Sequence, residues 1–327
     1  MRFSPDYKLN LIDEEEFLNV IPSVEKKLAD IKNSGTFNAF DNTEIYYEYF
    51  LAENSKASIV VVHGLSEFVN KFYEFIYYCL NQGYNVFVYD QRCHGLSGRL
   101  TDRIELLHVD SFYDYAKDLS QFIDEVVTRV EDKPIYIYSH SMGGAVSALY
   151  LSQNSAKIKK AVLSAPMFEP VVDSVAYPIA RMGVGIGRLF YGNKTKFLLT
   201  REFDPDVKYS EAHGTSRARF EHNMKMRREN PHYQSTPMTF GWIYNSLIIR
   251  DKIFKRKTIK NISTPMLLIS AEKDTIVKLK PQYDFANKCK NCKLVNLKNT
   301  NHALLAGTSQ TIGEVLNLVF DFYENND

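Results

Sequence analysis

The chain has 327 residues, 45% hydrophobic and 13% aromatic, which supports a packed core and excludes a disordered polymer. A mean hydropathy of −0.29, with no apolar run near the roughly 20 residues of a membrane helix, excludes a spanning segment. The net charge of +1 gives no footing for a nucleic-acid partner, though the charge is uneven along the chain.

The N-terminal segment MRFSPDYKLNLIDEEEF is acidic where a signal peptide is apolar, which predicts a cytoplasmic protein. Residues 1–35 read as a polar, partly helical lead-in. TFNAFDNTEIYYEYF is predicted as a hairpin about the turn residues Asp41 and Asn42. Short buried-strand runs follow: SIVVVH (58–63), NVFVYD (85–90), PIYIYS (134–139), KKAVLS (159–164), PMLLIS (265–270) and KLVNL (293–297). Most are separated by helix-length stretches. Phe112, Tyr115, Ala116, Leu119, Phe122, Ile123 and Val126 stand at helical spacing, and a similar stripe runs from Ile312 to Tyr323. This alternation predicts an α/β fold with a mostly parallel central sheet flanked by helices.

One interval breaks the rhythm. Nearly 100 residues separate KKAVLSAP from ISTPMLLIS, far more than a crossover requires. The interval is read as a helical cap inserted over the carboxyl edge of the sheet, where α/β proteins bind ligands. The expected organisation is a core of residues 36–166 and 261–327, with residues 167–260 as the cap. Its GVGIG lacks the spacing and setting of a dinucleotide loop. From Arg217 to Lys260 there are 11 basic residues against three acidic ones, a local excess of 11 − 3 = +8 that suggests an anionic contact. The four cysteines are too few for a disulfide framework. Cys289 and Cys292 form a CxxC without the second pair a zinc site needs, so no metal is expected.

Candidate chemistry begins at YIYSHSMGGAVSAL, residues 136–149. Ser141 stands between a strand and a helix start, with Gly143 and Gly144 behind it. A turn that sharp strains its central residue, and small neighbours relieve the crowding. The pattern is G-x-S-x-G with Ser139 for the first glycine and His140 beside the serine. Of the eight histidines, His302 follows the last strand on a loop that can reach over the sheet edge. It is the predicted base. Asp274, just past PMLLIS, is the predicted orienting carboxylate, with Glu272 in reserve and Asp284 on the next helix. The order Ser, Asp, His is that of α/β-hydrolases. The oxyanion donors are expected at the backbone N–H of Met142 and of Leu65 in HGLSE.

VVVHGLSEFVNKFYEF, YDQRCHGLSGR and YSHSMGGAVSALYL, followed by LSAP, resemble the monoacylglycerol lipase and lysophospholipase family of α/β-hydrolases, within the serine aminopeptidase-like superfamily. HGTSRARFEHNMKMRRENP and TFGWIYNSL look most like its bacterial lysophospholipase branch. The resemblance runs from about residue 36 to the C-terminus. It implies an α/β-hydrolase fold and release of one acyl chain through an acyl-serine, without metal or organic cofactor. It carries the triad onto Ser141, Asp274 and His302, and the oxyanion hole onto Leu65 and Met142. Ser139 departs from the family pattern, as does Ser66 where many relatives have a second glycine. The expected substrate is a small lipid ester, lysophospholipid or monoacylglycerol. The alternatives are a short-chain carboxylesterase or peptidase on the same scaffold, and a non-catalytic ligand-binding relative. VVDSVAYPIARMGVGIGRLF reads as an acyl tunnel or as cap core. Arg217, Arg219, Arg227 and Arg228 are assigned to a phosphate headgroup or to an anionic membrane at its inner face, with a solvated helix face as the alternative.

Overall fold

The computed structural model describes residues 9–172, 176–211 and 215–325. Its sheet has eight strands: β1 Asn33–Asn38, β2 Glu44–Phe50, β3 Ala57–Val62, β4 Tyr84–Tyr89, β5 Ile135–His140, β6 Lys160–Ser164, β7 Met266–Ala271 and β8 Cys292–Leu297. The spatial order is β1-β2-β4-β3-β5-β6-β7-β8. β1 and β2 form the hairpin expected around Asp41 and Asn42, and β2 joins β4 antiparallel. From β4 to β8 every pairing is parallel.

Strands β3, β4, β6 and β7 are buried at every position because helices cover both faces. Successive side chains point to opposite faces of a strand. Val60 and Val62 of β3 accordingly pack in the layer containing helices Phe112–Phe122 and Met142–Asn154. Ile59 and Val61 pack in the other layer, with helices Tyr73–Asn81 and Ser309–Glu324.

The first helix, Phe17–Ile31, joins that second layer through buried Phe17, Ile21, Val24 and Leu28. Their spacing of three and four residues puts them on one side of the helix. Much of the segment read as a polar lead-in is therefore core packing, and β1 begins at Asn33, ahead of residue 36. The helix begun at Phe112 holds α geometry to Phe122 and widens into a π turn over Ile123–Val127.

Between β6 and β7 the chain forms helices Tyr177–Tyr191, Arg217–Glu229, Phe240–Leu247, Ile249–Ile253 and Arg256–Asn261. The excursion leaves and re-enters the sheet at neighbouring points, since β6 and β7 pair directly. Its base is stitched by Val171 N–H donating to Ile276 O at 2.9 Å and Lys278 N–H donating to Glu169 O at 2.9 Å. Trp242 is buried, with its ring centroid 5.9 Å from that of Phe112. This contact anchors the excursion on the core.

Candidate active site

The parallel strands β5, β7 and β8 end at one edge of the sheet, and the loops leaving them bring three side chains together. Ser141 occupies the step from β5 to helix Met142–Asn154 with φ 51° and ψ −115°. A non-glycine residue held there costs on the order of 1–3 kcal/mol and persists only when its surroundings enforce it. They do so through three bonds: Ser141 N–H donates to Ser164 O at 2.9 Å, Met167 N–H donates to Ser141 O at 2.8 Å, and Gly144 N–H donates to Ser141 O at 2.9 Å. A Cβ on Gly143 would sit 2.1 Å from Val62 O, and one on Gly144 would sit 2.6 Å from Pro166 Cβ. The helix can therefore start this close to the end of β3 and to Pro166 after β6 only with glycines. Ser139 serves without the family's glycine because its side chain is fully buried, its Oγ donating to Val162 O at 3.2 Å.

Ser141 Oγ lies 2.8 Å from His302 Nε2, and His302 Nδ1 lies 2.7 Å from Asp274 Oδ2. The Asp274 side chain is fully buried, whereas the His302 side chain keeps 11% of its exposure. The second carboxylate oxygen, Asp274 Oδ1, accepts the N–H groups of Ile276 at 2.9 Å and Val277 at 3.0 Å. Those bonds turn Oδ2 towards the ring. A carboxylate on Nδ1 fixes the proton there and leaves Nε2 free to accept from a hydroxyl. Glu272 instead pairs with Lys298 at 2.8 Å on the surface, and Asp284 pairs with Lys280 at 2.9 Å. Neither replaces Asp274.

Met142 follows the serine at the helix start, and Leu65 follows Gly64, on which a Cβ would sit 3.1 Å from Ser141 Cβ. Among the described residues, neither backbone N–H donates to a protein acceptor. His140 lies beside the base, its ring tilted 47° to that of His302 with centroids 5.0 Å apart. Burial pushes the His140 pKa down to about 4, so it stands neutral next to the ring that must take up a proton.

The arginines do not gather into one anion site. Arg219 is buried and donates twice to Glu74, at 2.8 and 2.6 Å, while its guanidinium lies 4.6 Å from the Phe17 ring centroid. Arg227 turns inward to Tyr233 O and Thr236 Oγ1, and burial lowers its pKa to about 10. Both guanidinium groups are met by internal partners, and Arg219 also lines a cavity with Glu67, Lys71 and His140. Arg217 remains exposed and pairs with Glu221, and Arg228 donates to Pro205 O at an exposed position.

The apolar stretch of the excursion meets the core expectation on one side only, where Val172, Tyr177 and Ala180 pack beside a small buried cluster. Of helix Tyr177–Tyr191 only Val184 is buried, against Phe240 and Leu247. Ile179, Met182, Ile186 and Leu189 recur at helical spacing on an exposed stripe, with Leu189 85% and Phe190 82% exposed. Leu198 and Leu199 extend the patch. The start of the stretch, residues 173–175, lies outside the described residues.

A mostly parallel sheet, a strained serine at the strand-to-helix step, and histidine and carboxylate on later loops define an α/β-hydrolase fold. The chain belongs to the serine aminopeptidase S33 hydrolase family, which matches residues 53–308. It is similar to lysophospholipase L2 of Escherichia coli K12, with 27% identity over 258 residues, 75% of this chain and 72% of that protein. A probable lysophospholipase L2 of Haemophilus influenzae is 26% identical over 288 residues, covering 86% and 88%. Among solved structures, a soluble variant of monoglyceride lipase from Saccharomyces cerevisiae superposes with a TM-score of 0.70 at 16% identity, covering 90% of this chain and 94% of that one. A carboxyl esterase from Bacillus coagulans gives 0.70 at 15%, covering 89% and 97%.

Proposed function

We propose that the protein is a serine hydrolase that releases a fatty acid from a monoacyl lipid, either lysophospholipid or monoacylglycerol. The observation that carries this reading is the hydrogen-bonded series from Ser141 through His302 to the buried Asp274 side chain. Ser141 Oγ attacks the ester carbonyl and its proton passes to His302 Nε2. The oxyanion is held by the N–H groups of Leu65 and Met142, each of which contributes about 2.7–4 kcal/mol in comparable sites. Collapse expels the alcohol, which takes the proton from Nε2. Water then repeats the sequence on the acyl-serine and releases the fatty acid. The curated relatives named lysophospholipase support the substrate class. In a Ser141→Ala variant, labelling by a fluorophosphonate probe is expected to vanish. Labelling equal to wild type refutes the assignment.

Residues 167–260 act in this reading as the cap, and the exposed stripe on helix Tyr177–Tyr191 supports contact with a lipid surface. Among the described residues no helix is long and apolar enough to cross a membrane. The stripe instead suits peripheral docking, since fully burying a Leu or Phe side chain is worth about 1.5–3 kcal/mol. Arg181 and Arg188 lie on the same helix, Arg181 paired with Asp251 and Arg188 against the Tyr244 ring. Leu189→Asp with Phe190→Asp should abolish sedimentation with phosphatidylglycerol vesicles and slow turnover of micellar lipid, measured against turnover of a dissolved short ester. Undiminished sedimentation refutes docking by this face.

A further inference from the structure

The loop after β3 reads His63-Gly64-Leu65-Ser66-Glu67, and its backbone is held from both sides at Gly64. The Gly64 N–H donates to Glu67 Oε2 at 2.5 Å, and the Gly64 carbonyl lies 2.7 Å from His63 Nδ1. His63 Nε2 accepts the Gln91 N–H at 2.9 Å, so the neutral ring carries its proton on Nδ1 and donates it to that carbonyl. The carbonyl and the Leu65 N–H belong to one peptide plane, and a trans peptide points them in opposite directions. Fixing the carbonyl therefore aims the Leu65 N–H. Glu67 fixes the preceding plane.

The carboxylate is wedged against the nucleophile's own surroundings. A Cβ on Gly64 would lie 2.9 Å from Glu67 Oε2, 3.1 Å from Ser141 Cβ and 3.3 Å from His140 Cδ2. Glu67 is itself 6% exposed and binds Lys71 Nζ through its other oxygen at 2.6 Å. Burial opposes its charge, but the Lys71 ammonium foremost and the Gly64 N–H outweigh that cost and bring its pKa down to about 2. Ser66 completes the turn at φ 59°, which puts the carboxylate back under the loop it belongs to.

We infer that Glu67 is a positioning residue for the reaction: by accepting the Gly64 N–H it sets the loop whose Leu65 N–H stabilises the oxyanion. Glu67 acts through the backbone and touches no reacting atom. This inference rests on the roles given above to Ser141 and Leu65.

The test is steady-state hydrolysis of p-nitrophenyl octanoate by Glu67→Ala, Glu67→Gln and Glu67→Asp in the full chain, with melting temperatures in parallel. Glu67→Ala should lose about 10–100-fold in kcat, part of the 10²–10³ that follows loss of an oxyanion donor, with KM within about threefold. Glu67→Gln keeps an acceptor for the Gly64 N–H and should recover most of that loss. Glu67→Asp keeps the charge but withdraws the acceptor by one methylene, and should stay impaired about tenfold. If Glu67→Ala does not fold, the order of the Gln and Asp variants decides. A Glu67→Ala enzyme with wild-type kcat, or Asp outperforming Gln, overturns the inference while an inactive Ser141→Ala leaves the site reading standing. Wild-type protein without ester turnover, or an active Ser141→Ala, overturns both.

Discussion

Replacing Asp274 by Asn tests the site through a single atom. Oδ1 already accepts two backbone N–H groups, from Ile276 and Val277, so an Asn must keep its carbonyl there. Its NH2 then occupies the Oδ2 position, 2.7 Å from His302 Nδ1. Rotating the amide would set NH2 against two N–H donors and leave them unpaired, at about 1–3 kcal/mol each. Held this way, the NH2 makes Nδ1 an acceptor and moves the ring proton to Nε2, facing Ser141 Oγ. No base then remains for the serine. By analogy with such swaps elsewhere, kcat should fall about 10⁴-fold, near 5.5 kcal/mol of barrier. The hydrogen-bond count is conserved, so the melting temperature should shift by only a few degrees. The assay is saturating ester hydrolysis alongside calorimetry. A correctly folded Asp274→Asn retaining more than about a tenth of wild-type kcat refutes the tautomer argument.

Arg219→Ala leaves the partly buried Glu74 carboxylate without its ion-pair partner, though still bonded to the Tyr78 hydroxyl, and should cost about 2–3 kcal/mol of stability. Arg217→Ala, at an exposed pair, should stay within about 0.5 kcal/mol; equal urea midpoints for the two variants would contradict their different burial. Burial brings the pKa of His63 and of His140 down to about 4, below the 6.5 of the unfolded chain. At these two groups the unfolded state therefore binds more protons between those values, and their contribution to stability falls as pH drops from 6.5 towards 4. Each histidine contributes roughly 1 kcal/mol per pH unit in that window. Histidine-resolved NMR titration measures it ring by ring, because buried Asp90 and Asp118, raised to about 7 and about 6, oppose the trend in overall stability; a ring titrating near 6.5 would show that it is not held neutral.

The strands were legible because both faces of the sheet are covered, so their apolar runs stand out against polar loops. The elbow was legible because glycines at 143 and 144 have a steric cause that leaves a local signature. Asp274 and His302 could be picked out by their places after late strands, which topology brings to one edge. Pairing was hidden. Nothing local to Arg219 announces Glu74, 145 residues away, and a count of charges treats a buried pair like a solvated one. Direction was hidden too. Periodicity marks an apolar stripe on Tyr177–Tyr191, yet it does not say whether the stripe faces protein or solvent. The converse error occurred at Phe17–Ile31, where acidic and basic residues between the apolar positions masked a core-facing helix. Glu67 escaped notice because its effect is exerted on its own loop's backbone, which no side-chain pattern reports.

Because β6 and β7 are hydrogen-bonded neighbours, the excursion between them closes a loop whose ends are already together. The entropy of such a closure rises with the logarithm of length, by about 0.6 kcal/mol for each doubling. Expanding a crossover of about 25 residues to about 100 is two doublings, roughly 1.2 kcal/mol. The sheet hence tolerates large changes in the size and sequence of this segment at little thermodynamic cost. Specificity can drift there by insertion, deletion or exchange of whole helices, while the strained serine and its partners, fixed by the sheet, stay where they are.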